Sequence, residues 1–336
     1  MRKLFLPAIL FVLLIAVCIR TSAPSKSAFA FQTGQAECVV DASSLRILHE
    51  KNAETPLPNA STTKILTAII ILEDCDLDER ICIPNEAAGT EGSSIYLHAG
   101  DIYTVEELLY GLMLRSGNDA AVTLALHHSG SIDTFACKMN EKAAMLGATG
   151  SHFVNPHGLP DKRHRTTARD LALIAAYAMQ SETFRTIVST KYYPPRHWYN
   201  KNKMLASYEG ANGIKTGFTT DAGRCLVTGA EREGMQLVCV VLNCPQMYER
   251  TAELLDQSFA EYSVARLTDF ALIPHGVGAR TAFEFPLRKE EMALVRTELS
   301  IAEPLPKKKG AIAGYIKIFL ANDLIFSQNL YIMEEQ

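Results

Sequence analysis

The chain has 336 residues, of which 48% are hydrophobic and 21% charged, enough for one large globular domain or two smaller ones with a full core. Thirty-three basic against 37 acidic residues leave a formal net charge of −4, the wrong sign for a nucleic-acid surface. No low-complexity stretch, and no repeat of about 20–50 residues, marks a fibre or a solenoid.

The first thirty residues read as a secretion signal. Arg2 and Lys3 lead into an apolar run, Leu4 to Ile19, interrupted only by Pro7, and a polar stretch then ends in Ala28-Phe29-Ala30, an A-x-A cleavage pattern. The run is short of the roughly 20 residues that a spanning helix needs, so cleavage after Ala30 is expected. An uncleaved segment is the alternative, and it would tie the protein to a membrane. Val17 precedes Cys18 where a lipoprotein signal wants a small residue. Residues 1–30 hold four basic and no acidic side chains, so the remainder carries a net charge of −8. The expected location is extracytoplasmic, at the outer face of the membrane or in the cell wall, or released. Lys307-Lys308-Lys309 reads as a solvated turn. Seven cysteines follow residue 30; their odd number and the chain's size predict mostly free thiols, with Cys75–Cys82 the one candidate pair. No C-x-x-C pair or Cys/His cluster has zinc spacing.

Glu37–Asp41 and Leu45–Glu50 flank Ala42-Ser43-Ser44 and read as a hairpin. Thr62 to Glu73 is a helix pattern apolar on most faces, hence a buried helix. Thr104–Leu114 is a second, with Glu106 and Glu107 in the first turn, where the helix dipole favours them. Ser131–Leu146 and Thr167–Gln180 are further helix patterns. After Gly210, Arg224–Ala230 and Met235–Leu242 read as a β-hairpin through Glu231-Arg232-Glu233-Gly234, and Thr251–Tyr262 as a helix. Beyond about Thr268 short strands alternate with turns, Ile312–Leu320 and Leu324–Met333 meeting at Asn322-Asp323. The predicted organisation is a signal over 1–30, an α+β domain over 31–266 with both sets of strands in one sheet, and a small β-sandwich-like domain over 267–336.

Three short motifs carry the chemistry. Ser61-Thr62-Thr63-Lys64 is the only Ser-x-x-Lys in the chain and stands where a helix begins, so the two side chains share a helix face. A serine hydroxyl needs a base, and a lysine serves as one only when burial or a nearby cation lowers its pKa. On its own the tetrapeptide is equally a helix cap. Ser116-Gly117-Asn118 follows 55 residues on, in what reads as one tight turn after the second helix, and Lys215-Thr216-Gly217 follows 99 residues later at the start of the β region. Ser116 and Asn118 offer donors and acceptors. Lys215 and Thr216 offer a cation and a hydroxyl to a carboxylate, and Gly217 admits a substrate backbone.

The set resembles the penicillin-binding proteins and β-lactamases. Ala60–Ile65, Leu114–Ala121, His152–Leu159 and Gly213–Thr219 are similar to the D-alanyl-D-alanine carboxypeptidase branch, over about residues 36–264, with the tail more loosely like that family's carboxy-terminal β domain. The resemblance implies a transpeptidase-like α+β fold, an antiparallel sheet with helices and a helical subdomain, followed by a small all-β domain. It implies a penicillin-binding serine carboxypeptidase of cell-wall biogenesis, acting on peptidoglycan stem pentapeptides and acylated by β-lactam antibiotics, with no cofactor. Ser61 would be the nucleophile and Lys64 its base. Ser116 would relay a proton to the leaving D-alanine, and Asn118 would hold the peptide and Lys64. Lys215 and Thr216 would bind the terminal carboxylate, with Gly217 beside them, and the N–H groups of Ser61 and Phe218 would form the oxyanion hole. His157 and His164 read as loop or cleft-shaping residues, and Arg250 as a helix-surface arginine, with assistance in carboxylate binding as its alternative.

Two other readings compete. A class A β-lactamase would carry Glu-x-x-Leu-Asn between the second and third motifs, which residues 119–214 lack, and Asp rather than Gly117 in the second motif. A penicillin-sensing module would be acylated without turning over.

Overall fold

The structure is a computed structural model; it describes residues 33–270 and 273–334. The expected signal and its cleavage site therefore lie outside the described residues.

Strands β1 (Ala36–Asp41) and β2 (Ile47–Lys51) form the first hairpin. A 3-10 turn over Ala60–Thr63 feeds α1 (Lys64–Asp74), and the short pair β3 (Arg80–Cys82) and β4 (Ile102–Thr104) follows. Thr104 caps α2 (Val105–Tyr110) with a reciprocal Glu107 capping box. The expected helix to Leu114 changes hand-off at Tyr110: residues Gly111–Arg115 form a π-helical turn. Then come α3 (Asn118–Ser129), α4 (Ile132–Met145), α5 (Ala168–Ala178) and α6 (Glu182–Ser189), the second of these with Ser131 as its cap and the third with Thr167. The pair β5 (Tyr192–Tyr193) and β6 (Trp198–Tyr199) and the single turn α7 (Met204–Ser207) lead into β7 (Lys215–Thr219), β8 (Gly223–Arg232), β9 (Met235–Leu242) and α8 (Met247–Glu261).

The antiparallel sheet runs β2-β1-β9-β8-β7, so strands from both ends of this region share one sheet and β7 is an edge. Its central strands are buried on both faces, and alternate residues serve different cores. Cys38, Val40, Val238, Val240, Cys225 and Val227 join the helical core with α1 and α5. Val39, Leu237, Cys239, Val241 and Leu226 pack with α8 on the other face. This explains strands that are apolar almost continuously rather than alternating.

The carboxy-terminal part is all β. Strand β10 (Tyr262–Arg266) pairs with β12 (Glu284–Arg288), and β11 (Val277–Ala279), β13 (Val295–Ile301), β14 (Ile312–Leu320) and β15 (Asp323–Ile332) form a sheet ordered β11-β15-β14-β13 over its own core. Arg46 reaches across from the loop after β1 to the Pro286 carbonyl at 2.5 Å and the Glu291 carboxylate at 2.5 Å. The fold is α+β with a small all-β domain. None of the seven cysteines among the described residues is in a disulfide, Cys75 and Cys82 included.

Arg250 corrects its expected place. It is not a helix-surface side chain: it is 9% exposed and clamps Glu37, itself fully buried, through Nε and Nη2 at 2.9 and 2.8 Å. Burial alone would raise the Glu37 pKa. Hydrogen bonds from His49, Arg250 and the Gly34 N–H, with the Arg250 charge, outweigh it and hold Glu37 at about 2. The pair fastens α8 to β1. Removing one partner leaves a buried charge, so Glu37→Ala should cost about 3–5 kcal/mol in denaturant unfolding. In the parent the pair's contribution is complete above about pH 4.5 and declines as the pH falls towards about 2. A loss below about 1 kcal/mol in Glu37→Ala would contradict this account.

Candidate active site

The turn before α1 is fixed by its own side chains. Ala60 takes φ 48°, a left-handed value for a non-glycine residue. Asn59 Nδ2 donates to Thr62 Oγ1 and Thr63 Oγ1 at 3.1 and 3.0 Å, and these hydroxyls donate back to the Asn59 and Ala60 carbonyls. Two glycines let other segments approach. A Cβ on Gly217 would stand 3.2 Å from the Ser61 nitrogen, so the edge strand β7 passes directly beside the Ser61 N–H. A Cβ on Gly158, which has φ +85°, would meet the Ala60 oxygen at 1.9 Å, so only glycine lets the 154–164 loop close over this turn.

Lys64 is fully buried, and its Nζ has three partners: Ser61 Oγ at 2.9 Å, Asn118 Oδ1 at 2.7 Å and the His157 carbonyl at 2.7 Å. Burial, then the charges of Lys215 and Lys201, push its pKa well below the usual lysine range, against a smaller opposing pull from Asp119. The two carbonyl oxygens can only accept. A neutral amine has two N–H groups and one lone pair. With both hydrogens given to Asn118 and His157, the lone pair faces the Ser61 hydroxyl.

Asn118 is held in turn. Its Nδ2 donates to the Glu91 carbonyl at 2.6 Å, and its backbone N–H to the Ser93 carbonyl at 2.7 Å. The second motif is therefore not a single tight turn: Ser116 sits in a left-handed conformation (φ 66°), and Asn118 already begins α3. Asp119 beside it accepts from the N–H groups of Ile95 and Leu97 and from Ser94 Oγ, organising the loop that carries Ser93. His164, expected as a loop or cleft-shaping residue, is 3% exposed. Val154 N–H donates to its Nδ1, which leaves Nε2–H to donate to Thr63 Oγ1 at 2.8 Å. Burial lowers its pKa to about 4 and that of His157 to about 3, so both are neutral near pH 7. His157 contributes its backbone carbonyl to Lys64.

Ser61, Ser116, Thr216, Gly217 and Phe218 line one cleft of about 290 Å³, together with Ser93, Lys201, Arg224, Met247 and Tyr248. Lys64 and Asn118 stand directly behind Ser61. Lys215 is buried at the start of β7, its Nζ 2.8 Å from the Thr216 carbonyl, and burial and Lys201 bring its pKa down to about 7. A carboxylate arriving beside it would favour the charged form. A larger cavity of about 390 Å³, lined by Arg232, Asp256 and Phe259 among others, includes none of the motif residues. Lys201, Ser93, Arg224 and Tyr248 are cleft residues that sequence reasoning did not single out; nothing in Asn200-Lys201-Asn202 marks that lysine as part of a site. The geometry equips the cleft for nucleophilic attack by Ser61, with a desolvated amine as base and backbone N–H groups at the edge strand.

Known proteins resemble this chain in sequence and in fold. The sequence profile of a family described as D-alanyl-D-alanine carboxypeptidase matches residues 22–246. The chain is 33% identical over 275 residues to D-alanyl-D-alanine carboxypeptidase DacF of Bacillus subtilis, covering 74% of this chain and 70% of the relative. It is 36% identical over 240 residues to a D-alanyl-D-alanine carboxypeptidase of Streptomyces sp. strain K15, covering 63% and 82%. The solved structure of penicillin binding protein 5 from Haemophilus influenzae superposes with a TM-score of 0.74 at 26% identity, covering 90% of this chain and 97% of that one.

Lys201 provides a test of the electrostatics. Its charge disfavours the charged form of Lys64, so Lys201→Met should raise the Lys64 pKa and move the acidic limb of the penicillin-acylation rate to higher pH. Lys201→Arg should keep the parent limb. Stopped-flow acylation across pH 5–10 measures both; an unmoved limb in Lys201→Met would overturn the assignment.

Proposed function

The chain belongs to the D-alanyl-D-alanine carboxypeptidase family of serine peptidases, and on that premise we propose how its own residues carry the reaction. The substrate is a stem peptide of peptidoglycan ending in D-Ala-D-Ala. Ser61 Oγ attacks the carbonyl carbon between the two D-alanines as its proton passes to Lys64 Nζ. The N–H groups of Ser61 and Phe218 receive the developing oxyanion, an arrangement in which one donor is typically worth about 3–4 kcal/mol. Collapse breaks the peptide bond and leaves an ester on Ser61. Ser116 passes a proton to the departing D-alanine nitrogen. Water then hydrolyses the ester and restores the Ser61 hydroxyl. Lys215 and Thr216 bind the terminal carboxylate, and Gly217 lets the peptide lie close to β7. β-Lactams, whose strained amide mimics the scissile bond, acylate the same serine.

The single observation that supports this most is the Lys64 amine, buried and 2.9 Å from Ser61 Oγ with two carbonyls taking its hydrogens. The family supports turnover against the sensor reading, and the absence of a Glu-x-x-Leu-Asn segment in 119–214 weighs against the class A β-lactamase. Residues 1–30 act as an export signal in this proposal, with residues 31–266 as the catalytic domain and 267–336 as the β domain. Among the described residues no helix is long and apolar enough to cross a membrane.

The two motif lysines separate the roles. Lys64→Arg should abolish acylation, because arginine stays protonated and cannot act as a base. Lys215→Arg should keep the carboxylate attraction and partial activity, and Lys215→Ala should lose more. Labelling of Ser61 by a fluorescent penicillin and D-alanine release from a diacyl-Lys-D-Ala-D-Ala peptide measure all three. If Lys64→Arg acylates as fast as Lys215→Arg, Lys64 is not the base. One stoichiometric burst without D-alanine release would favour the sensor.

A further inference from the structure

The cleft holds a cation that the proposed chemistry leaves over. Arg224 lines it, and no Asp or Glu does. Among the described residues no carboxylate lies within ion-pair distance of Arg224. Its guanidinium instead lies over the Phe218 ring, 5.8 Å from the centroid. Arg224 on β8 is the direct cross-strand partner of Phe218 on β7, and β7 is the edge of its sheet. The guanidinium therefore leans across β7 towards the free edge, where an extended peptide can add as a further strand.

Position along that edge decides what Arg224 meets. Thr216, Gly217 and Phe218 are successive residues of β7, at about 3.3 Å per residue. Gly217 is level with Ser61, its Cβ position 3.2 Å from the Ser61 nitrogen. A peptide with its terminal carboxylate at Thr216 and its scissile carbonyl at Ser61 brings the residue ahead of D-Ala-D-Ala level with Phe218 and Arg224.

We propose that Arg224 is a specificity-determining residue that selects stem peptides whose residue preceding D-Ala-D-Ala carries a free side-chain carboxylate. This rests on the carboxypeptidase reading above. The planar guanidinium can take a carboxylate through two parallel N–H donors, and no protein carboxylate has to be displaced first. Arg224 is exposed, so the preference is moderate rather than absolute.

Two peptides of one backbone test it: Nα-acetyl-Nε-succinyl-Lys-D-Ala-D-Ala, which ends its side chain in a carboxylate, and Nα,Nε-diacetyl-Lys-D-Ala-D-Ala, which does not. The parent enzyme should favour the succinyl peptide by about tenfold in kcat/KM, a ratio that falls as salt rises. Arg224→Gln should bring the ratio near one, and Arg224→Lys should restore part of it. Saturating penicillin labelling of Ser61 at one per chain certifies that each variant is folded. A parent ratio near one overturns the proposal, as does a preference that survives Arg224→Gln, which would assign it to Lys201. D-alanine release from neither peptide, with Ser61 still labelled, refutes the carboxypeptidase reading and this one with it.

Discussion

A lysine amine has to be kept uncharged inside a protein without being left unsatisfied. Lys64 meets both demands with two carbonyl oxygens, Asn118 Oδ1 and the His157 main chain, each at 2.7 Å. Burial and the cations Lys215 and Lys201 disfavour the ammonium form. The carbonyls fix where the two N–H groups of the neutral form point. What remains is a lone pair aimed at Ser61 Oγ, so direction and protonation state come from one arrangement. Much of the surrounding structure serves it: the Glu91 carbonyl orients the Asn118 amide, and His164, neutral and buried, ties the 154–164 loop to Thr63. Gly158 lets that loop reach Ala60, so the His157 carbonyl can reach Lys64.

The sheet contributes the other wall. Its central strands are buried on both faces, which fixes β7 as a rigid edge beside the nucleophile. That edge offers its unpaired main-chain groups to a peptide strand, while Gly217 removes the side chain that would collide with Ser61 and Thr62. The buried Glu37–Arg250 pair holds α8, whose first residues Met247 and Tyr248 close the far side of the cleft. Stability and site geometry thus meet in α8, although Arg250 itself touches neither Ser61 nor Lys64.

What the sequence reveals follows from where chemistry and periodicity coincide. Ser61, Lys64, Ser116, Asn118 and Lys215 are legible because each stands in a motif at the junction of two elements, and the structure gathers them at one cleft. The central strands are legible as apolar runs. Helix α3 is hidden because Ser116-Gly117-Asn118 reads as a turn, and α6 because it is only eight residues long and four of them are β-branched. The His157 contribution is a backbone carbonyl, which no side-chain pattern encodes. Arg250 reads as a surface cation, and Lys201 carries no signal at all, because their environments, the buried Glu37 and the cleft, come from segments far away in sequence.

The central claim is that Lys64 is an uncharged amine in the free protein. The direct test is the ¹⁵N chemical shift of lysine Nζ in protein labelled at that atom, followed from pH 5 to 11, with the signal assigned by its loss in Lys64→Arg. The account predicts that the Nζ resonance lost in Lys64→Arg, distinct from that of Lys215 with its pKa of about 7, titrates well below 10.5 and has the shift of a neutral amine at pH 8. A Lys64 signal that remains that of an ammonium at pH 8 would contradict it.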